Sequence, residues 1–588
     1  MNKDLVLTFD LGTQSMRGMF VDKTGNILGF EQIIYEQPYF SKNPGWAEQK
    51  PNFYFEILCK ISNTLYQKFP DLMEKVFAVT LTTIRDTVLC LDKDCKPLRD
   101  IILWLDKRET EKPANISALK KLTLQIAGAY DIAMTQYRQS VCNWIMEKEP
   151  EIWEKTYKYV MLSTYLNYLL TGNLVDSYAN QIGHVPFDYK NTCWLLGNSL
   201  TRFLYDVPND KLCDLVSPGD IIGKITKEVS EKTSIPEGLE LIAGGSDKAC
   251  ETLGLSVITK DRASISLGTT ATIHFATPDY FEPVKYAPAY PAVMKGYFNT
   301  EAEVYRGYWM ISWFKKEFAA KECIMAEKLG ISPEELLNKN LSTVPPGSNG
   351  LILQPFWSPG VINPNSRGSI IGFSDVHTRI HIYRAIIEGI DFSLLDSMYT
   401  MEKRGSQKIK EIYVAGGGSQ SDEICQITAN IFGLPVKRIQ THEVAGLGSS
   451  IIAYVSKGFY SSYEEAVNNM VRVKDVFDPD AKEHEIYDKI FKEIYLRVNT
   501  TLEPLYTKIK KRFGGKNKWA WNHIKDLNQN GLKKKHQKIV IDLFLDGEIQ
   551  NLSSTQKRHY IKWWKNIFIW VMKTFLIMME ILVLTKLN

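Results

Sequence analysis

Residues 8–15 read TFDLGTQS, and residues 264–271 read SISLGTTA. Each copy runs an apolar strand into Leu-Gly-Thr, then small polar residues and the start of a second strand. The first copy opens a run of three predicted strands: LVLTFD (5–10), MRGMFVD (16–22) after the turn LGTQS, and ILGFEQIIY (27–35) after the turn KTGN. Short apolar runs bounded by Gly and Thr or Asn read as hairpin strands. An echo 256 residues apart predicts two related lobes, each opening on a hairpin. One difference is informative: Asp10 stands where the second copy has Ser266. Only the first hairpin then carries a charge at its strand end, as expected if one loop handles a metal and the other only phosphate oxygens. Chance likeness over eight residues is the competing reading.

The surrounding chain supports an α/β protein. Residues 110–175 read mainly as helix, including EIWEKTYKYVMLSTYLNYLL (151–170). After the second hairpin, RAIIEGIDFSLLDSMYTME (384–402) is an amphipathic helix. IYVAGGGSQSDEICQITANIFGLPV (412–436) reads as strand, glycine turn, helix and stop, closed by Gly433 and Pro435. Another helix begins near Glu443.

Composition narrows the function classes. With 588 residues the chain has room for two to four domains, and its 44% hydrophobic and 23% charged content is ordinary for a globular protein. A net charge of +4 gives no electrostatic commitment to nucleic acid. Nine cysteines without a CxxC pair or a His/Cys cluster argue against a disulfide framework or a zinc site. MNKD passes straight into LVLTFD, so no secretory signal is predicted and the cytoplasm is the expected compartment. From residue 514 the chain turns basic, with 13 Lys/Arg against 5 Asp/Glu, and ends in the apolar run IFIWVMKTFLIMMEILVL (567–584). That run barely meets the length of a membrane span. Lys573 and Glu580 interrupt it, at about 2.5–3.5 kcal/mol each in mid-bilayer. An extension without a packed structure, such as a readthrough product, is the leading reading of the tail; a membrane anchor or an interfacial helix is the lesser one.

Three glycine turns and two aspartates could serve phosphoryl transfer, which asks for positioning and charge neutralisation more than for covalent help. In Asp10-Leu11-Gly12-Thr13-Gln14-Ser15-Met16-Arg17, Gly12 admits an anion to backbone N–H groups, and Thr13 and Ser15 add hydroxyls. Asp10 could hold Mg²⁺ through water; a plain hairpin turn with a solvated Asp is the alternative. In IAGGSDKACETLG (242–254) a strand enters Gly244-Gly245 and Asp247 opens a helix. Asp247 is either an N-cap or a carboxylate exposed at the sheet's carboxyl edge, where α/β proteins bind ligands. The third turn, Gly416-Gly417-Gly418-Ser419, would let a flat ring or ribose lie against the backbone, and is weak alone.

As a set, in this order, these motifs resemble the FGGY family of carbohydrate kinases, within the actin/hexokinase/Hsp70-like ATPase superfamily. Further matching stretches are GWAEQKP (45–51), ILWLDKRE (102–109), SLGTTATI (266–273) and NPNSRGSIIGFSDVHTR (363–379), and the likeness runs from about residue 4 to 512. The resemblance implies two ribonuclease-H-like (actin-like ATPase) lobes around a central cleft, here 1–256 and 257–512, with 513–588 as a C-terminal extension. It implies Asp247 as catalytic base and Asp10, with Asp247, at Mg²⁺. ATP would lie against Gly12, Thr13, Gln14, Ser15 and Arg17, against Gly268 and Thr269 of the second lobe, and against Gly417, Gly418 and Ser419 at the adenosine.

On the acceptor side, Arg85-Asp86 resembles the Arg-Glu pair that holds polyol hydroxyls in the glycerol kinase branch, although Ile84 stands where the family usually has Gln. Trp104 matches an aromatic that packs against substrate carbons, and Lys248 fills a position often taken by Gln or Asn. A surface ion pair and a core aromatic are the structural alternatives for Arg85-Asp86 and Trp104. The region 137–144 lacks a Lys common in the family. The expected activity is ATP-dependent phosphorylation of a small sugar or polyol: a ketose, an aldonate or a glycerol-like polyol. A catalytically silent sensor of the same fold is the first alternative. An Hsp70-like or actin-like ATPase is the second, though no peptide-binding domain or filament contact is visible. Dimers are frequent in the family, so a homodimer stays open without an interface signal.

Overall fold

The computed structural model describes residues 3–197, 199–358, 360 and 365–513. One compact unit spans Met1–Lys508; of a second unit beginning at Ile509, only residues 509–513 are described, and they are helical. The basic extension and its apolar run lie outside the described residues. Among the described residues no helix is long and apolar enough to cross a membrane.

Two mixed sheets organise the first unit. The first comprises β1 (Leu5–Leu11), β2 (Ser15–Val21), β3 (Ile27–Ile34), β4 (Val76–Thr83), β5 (Ile221–Lys224) and β6 (Glu240–Ser246), in the order β5-β6-β4-β1-β2-β3. The second comprises β7 (Arg262–Leu267), β8 (Ala271–Thr277), β9 (Tyr290–Pro291), β10 (Phe298–Val304), β11 (Glu411–Ala415), β12 (Val436–Ile439) and β13 (Val473–Phe477), in the order β9-β10-β8-β7-β11-β12-β13. Each places an antiparallel hairpin (β1-β2, β7-β8) beside parallel partners: β1 beside β4 and β4 beside β6; β7 beside β11 and β11 beside β12. The two hairpins are therefore equivalent positions of one repeated topology, as the sequence echo predicts. Their turns differ by one residue: Leu11 pairs with Met16, but Leu267 pairs with Ala271.

Alternation along the first strands decides what faces the cleft. Leu5, Leu7, Phe9 and Leu11 pack with helix α1 (Phe53–Lys68) on the outer side. Val6, Thr8 and Asp10 point the other way, toward the second lobe. In β7, Ala263, Ile265 and Leu267 pack outward against helix α3 (Arg379–Gly405), leaving Ser264 and Ser266 on the inner face.

Two helices meet between the sheets: α2 (Asp247–Gly254), which follows β6, and α5 (Val444–Ser456), which follows β12 after α4 (Asp422–Phe432). Although α5 comes late in the chain, it packs on the first sheet. Ser450 hydrogen-bonds Thr8 at 2.7 Å, and Tyr454 Oη donates to the carbonyls of Asp4 and Val21 at 2.7 and 2.9 Å. One buried cluster runs from Val6, Met19 and Ala78 through Ala249 and Cys250 to Leu447 and Ile451.

The helical reading of 110–175 holds with one correction. Lys158–Met161 is a strand between helices Pro150–Lys155 and Leu162–Thr171. It pairs with Val88–Leu91 in a separate four-stranded sheet, and that tertiary pairing overrides the helical spacing of its apolar residues.

Candidate active site

Asp10 ends β1 with its backbone opposite Arg17 in the hairpin register. Arg17 Nη1 donates to Asp10 Oδ2 at 3.2 Å, and Arg17 Nε faces Glu443 Oε2 at 3.1 Å, tying the first loop to the start of α5. The loop's hydroxyls are partly committed. Thr13 Oγ1 accepts the indole N–H of Trp104 at 3.1 Å, and Ser15 Oγ accepts from Gln32 at 3.1 Å. Gln14 is exposed at the tip, and its carbonyl accepts the N–H of Tyr35. Trp104 is 40% exposed, so it is a rim residue beside this loop and not a core aromatic.

Asp247 is not the cap of its helix. Ser246 takes the N-cap position and its hydroxyl accepts the N–H of Ala249 at 3.4 Å, which leaves the Asp247 carboxylate to accept only the N–H of Lys248, at 2.8 Å. Burial raises the pKa of Asp247, against the pull of Arg85 and Lys248. Burial likewise pushes Asp10 up to about 7, Arg17 opposing and Asp247 adding to the rise. A buried carboxylate whose proton affinity is raised further by a second acid marks a place that a divalent cation would relieve. Among the described residues no group of three or more His, Cys, Asp or Glu converges on a metal position. A pair of acids fits Mg²⁺, which takes few carboxylates and completes its shell with water and phosphate oxygens.

The second hairpin and the third turn sit together. Tyr308 N–H and Trp309 N–H hold the carbonyls of Gly268 and Thr269, at 3.0 and 3.3 Å. Gly416 adopts φ +85°, and a Cβ there would stand 2.8 Å from the Leu267 carbonyl carbon, so only glycine lets this turn rest on the hairpin. Gly418 is packed against Tyr308, whereas the Cβ direction of Gly417 has no atom within 4 Å, leaving an open surface for a ring. Ser419 is buried, its hydroxyl bonded to the Gly416 carbonyl at 2.7 Å, so only its backbone can border a ligand.

Arg85 and Asp86 follow β4, and each pairs with a distant residue instead of with the other. Arg85 makes a bidentate bond to Glu301 of β10, at 2.9 and 3.0 Å, across the two lobes. Asp86, at φ +48°, accepts both the backbone N–H of His184 at 2.9 Å and its ring Nδ1, 2.6 Å away. Burial works against charge on His184, but Asp86 outweighs it and raises the imidazole's pKa. Both pairs are mostly shielded, with side chains 9–22% exposed, so neither is a surface ion pair. Lys248 Nζ donates to Glu251 and to Ser266 Oγ, both at 3.0 Å, and so reaches from the Asp247 turn to the position equivalent to Asp10 in the second hairpin.

Sequence reading missed Glu301, His184, His274 and Glu443. Glu301 lies in FNTEAEV, a strand with no glycine turn or motif beside it. Only the pairing of lobes gives it Arg85.

The profile of the FGGY family of carbohydrate kinases, N-terminal domain, matches residues 5–254, and that of the C-terminal domain matches 263–456. The chain belongs to the FGGY family of carbohydrate kinases. Among relatives of this FGGY chain, the "Uncharacterized sugar kinase YgcE" of Escherichia coli (strain K12) is 29% identical, over 86% of this chain and 96% of that protein. A xylulose kinase of Lactococcus lactis subsp. lactis (strain IL1403) is 28% identical, over 83% and 96%. The solved gluconate kinase of Lactobacillus acidophilus superposes with TM-score 0.72 at 23% identity, over 86% of this chain and 99% of that one, which shows the shared fold. The FGGY kinase described here is thus a carbohydrate kinase with ATP as phosphoryl donor, built from two ribonuclease-H-like lobes.

Proposed function

We propose that this protein transfers the γ-phosphoryl group of Mg²⁺-bound ATP to a hydroxyl of a small sugar or polyol. It would do so in the cytoplasm, in a cleft between lobes divided near residue 256. The observation that carries the reading is the Asp247 carboxylate, relieved of capping by Ser246, close enough to Arg85 to feel its charge and to Asp10 to raise that acid's proton affinity. A buried carboxylate with a raised pKa is a better proton acceptor than a solvated one. Asp247 takes the proton of the acceptor hydroxyl as the phosphoryl group arrives. Asp10 and Asp247 would hold Mg²⁺, which offsets the charge of the phosphates when bound. Gly12 and Gly268 bring backbone N–H groups close to phosphate oxygens, Thr269 extends that contact, and the open face at Gly417 takes the adenosine. Closing the lobes excludes water as a competing acceptor.

Relatives named xylulose kinase and gluconate kinase make ketoses and aldonates the first acceptors to try. ADP release measured over ketoses, aldonates and polyols tests the reading. Wild type is expected to turn over at least one acceptor, and Asp247→Ala to lose about 10²–10⁴-fold. Tight ATP binding without turnover of any acceptor would favour a sensor.

A further inference from the structure

Ser246 and Lys248, on either side of Asp247, border a small cavity with room for about one water, lined also by Arg85, His274, Tyr290, Asn299 and Glu301 of the two lobes, whose side chains an acceptor beside Asp247 would meet. Its charge balance bears on what it can hold. Arg85 is answered by Glu301 through two hydrogen bonds, and its guanidinium lies over the Tyr290 ring, 5.5 Å from the centroid. Lys248 is answered by Glu251. His274, its Nδ1 3.6 Å from Glu301 Oε2, is kept neutral because burial draws its pKa down to about 4. Burial opposes the charge on Glu301, yet Arg85 holds its carboxyl well below the usual range. Asp247 adds a further carboxylate within reach of Arg85 and Lys248. An incoming carboxylate would therefore meet no cation that is not already engaged, and would face acids on two sides.

The same lining suits hydroxyls. The side-chain oxygen of Asn299 is buried and has no hydrogen-bond partner among the described residues. An acceptor in that state stays desolvated and unpaired until a donor arrives. Sugar hydroxyls both donate and accept, so two neighbouring ones can donate to Asn299 and to Glu301 while accepting from Arg85; a carboxylate only accepts. Specificity built on buried polar groups that need a donor is strong, because the wrong ligand leaves them unpaired.

We propose that this kinase takes an uncharged acceptor, a ketose or polyol and not an aldonate, and that Glu301 and Asn299 of the second lobe are the residues that set this choice. The proposal rests on the kinase reading above and narrows its acceptor class. Glu301 reads the acceptor's hydroxyls together with Arg85, and its charge repels a carboxylate from the same place.

The test compares D-xylulose, xylitol and D-gluconate, by ADP release with wild type and by calorimetric binding to Asp247→Asn protein. The better neutral acceptor is expected to exceed gluconate in kcat/KM by at least 100-fold, and to bind more tightly. Glu301→Gln, which frees the charge of Arg85, should cut kcat/KM for the neutral acceptor at least tenfold and move its ratio to gluconate at least tenfold toward gluconate. Asn299→Ala leaves the Arg85–Glu301 pair intact, and serves if the first variant does not fold. It should raise KM for the neutral acceptor about tenfold with kcat changed less than threefold. Gluconate equal to or better than the neutral acceptors in wild type overturns the proposal. So does a folded Glu301→Gln protein with an unchanged ratio, or Asn299→Ala with unchanged KM. Absence of turnover on all three defeats the kinase reading. The binding arm then still decides the acceptor class, and tighter gluconate binding overturns it.

Discussion

Ser246 and Asp247 share a helix start, and the division of labour between them is what leaves a carboxylate available. If Ser246 becomes Ala, the helix loses its capping oxygen, which costs about 1 kcal/mol. Asp247 is then the nearest substitute cap. Ser246→Ala is therefore expected to lower kcat by more than its small loss of thermal stability would suggest, with ATP affinity retained. Another buried acid, Asp391 in α3, accepts the Thr428 hydroxyl at 2.9 Å. Burial raises its pKa from 3.8 to about 8, so the folded protein keeps a proton there that the unfolded chain releases. Its contribution is fully present below pH 3.8 and is lost as pH rises toward 8, at about 1.4 kcal/mol per pH unit. Asp391→Asn removes that slope. Urea denaturation from pH 5 to 8 should show the variant gaining on wild type at each step. Legibility at this scale was uneven. Asp10, Asp247 and the glycine turns stood in the sequence because strand-turn signals flank them. Glu301 and His184 did not, because their meaning comes from partners 216 and 98 residues away.

At the level of helices and strands, the crossing of α2 and α5 fixes the position of the Asp247 turn. A Cβ on Gly448 would stand 1.9 Å from the Cys250 carbonyl oxygen, and one on Gly254 would stand 2.1 Å from that of Val444. The two backbones touch where side chains would hold them apart. Gly448→Ala must separate them, and overpacking of this kind costs about 1–3 kcal/mol. Because α2 begins at Asp247, the same shift moves the carboxylate. The variant should lose kcat at temperatures well below its lowered Tm, whereas Gly458→Ala, a position with open space but φ +73°, should lose stability alone. The paired hairpins and the helices α2, α3, α4 and α5 were readable from periodicity and punctuation, whereas α1 was not singled out. The strand Lys158–Met161 was not, because its partner Val88–Leu91 lies some 70 residues upstream and local spacing carries no trace of it.

For the molecule as a whole, the profile matches end at residue 456 and both sheets are complete by Phe477. A chain ending after Phe513 is expected to keep turnover within about twofold of the full chain, since the effective residues of the proposed site all precede it; a coupled assay on the two proteins checks this. A fragment of residues 1–256 should fare worse despite containing Asp10 and Asp247. It lacks α5, whose Leu447 and Ile451 pack with Val6, Met19 and Ala78. It is expected to bind a hydrophobic dye and to lose cooperative unfolding, and adding a 257–513 fragment should reverse both.

That late helix also sets a problem of timing during synthesis. The first sheet can hydrogen-bond its strands once Ser246 has been made, but α5 begins only at Val444. At translation speeds of about 5–20 residues per second, the nascent sheet waits roughly 10–40 s with one greasy side bare. Through that interval it is open to misassociation with neighbouring chains on the same message, and a ribosome-proximal holdase that shields such surfaces would raise the yield of native enzyme.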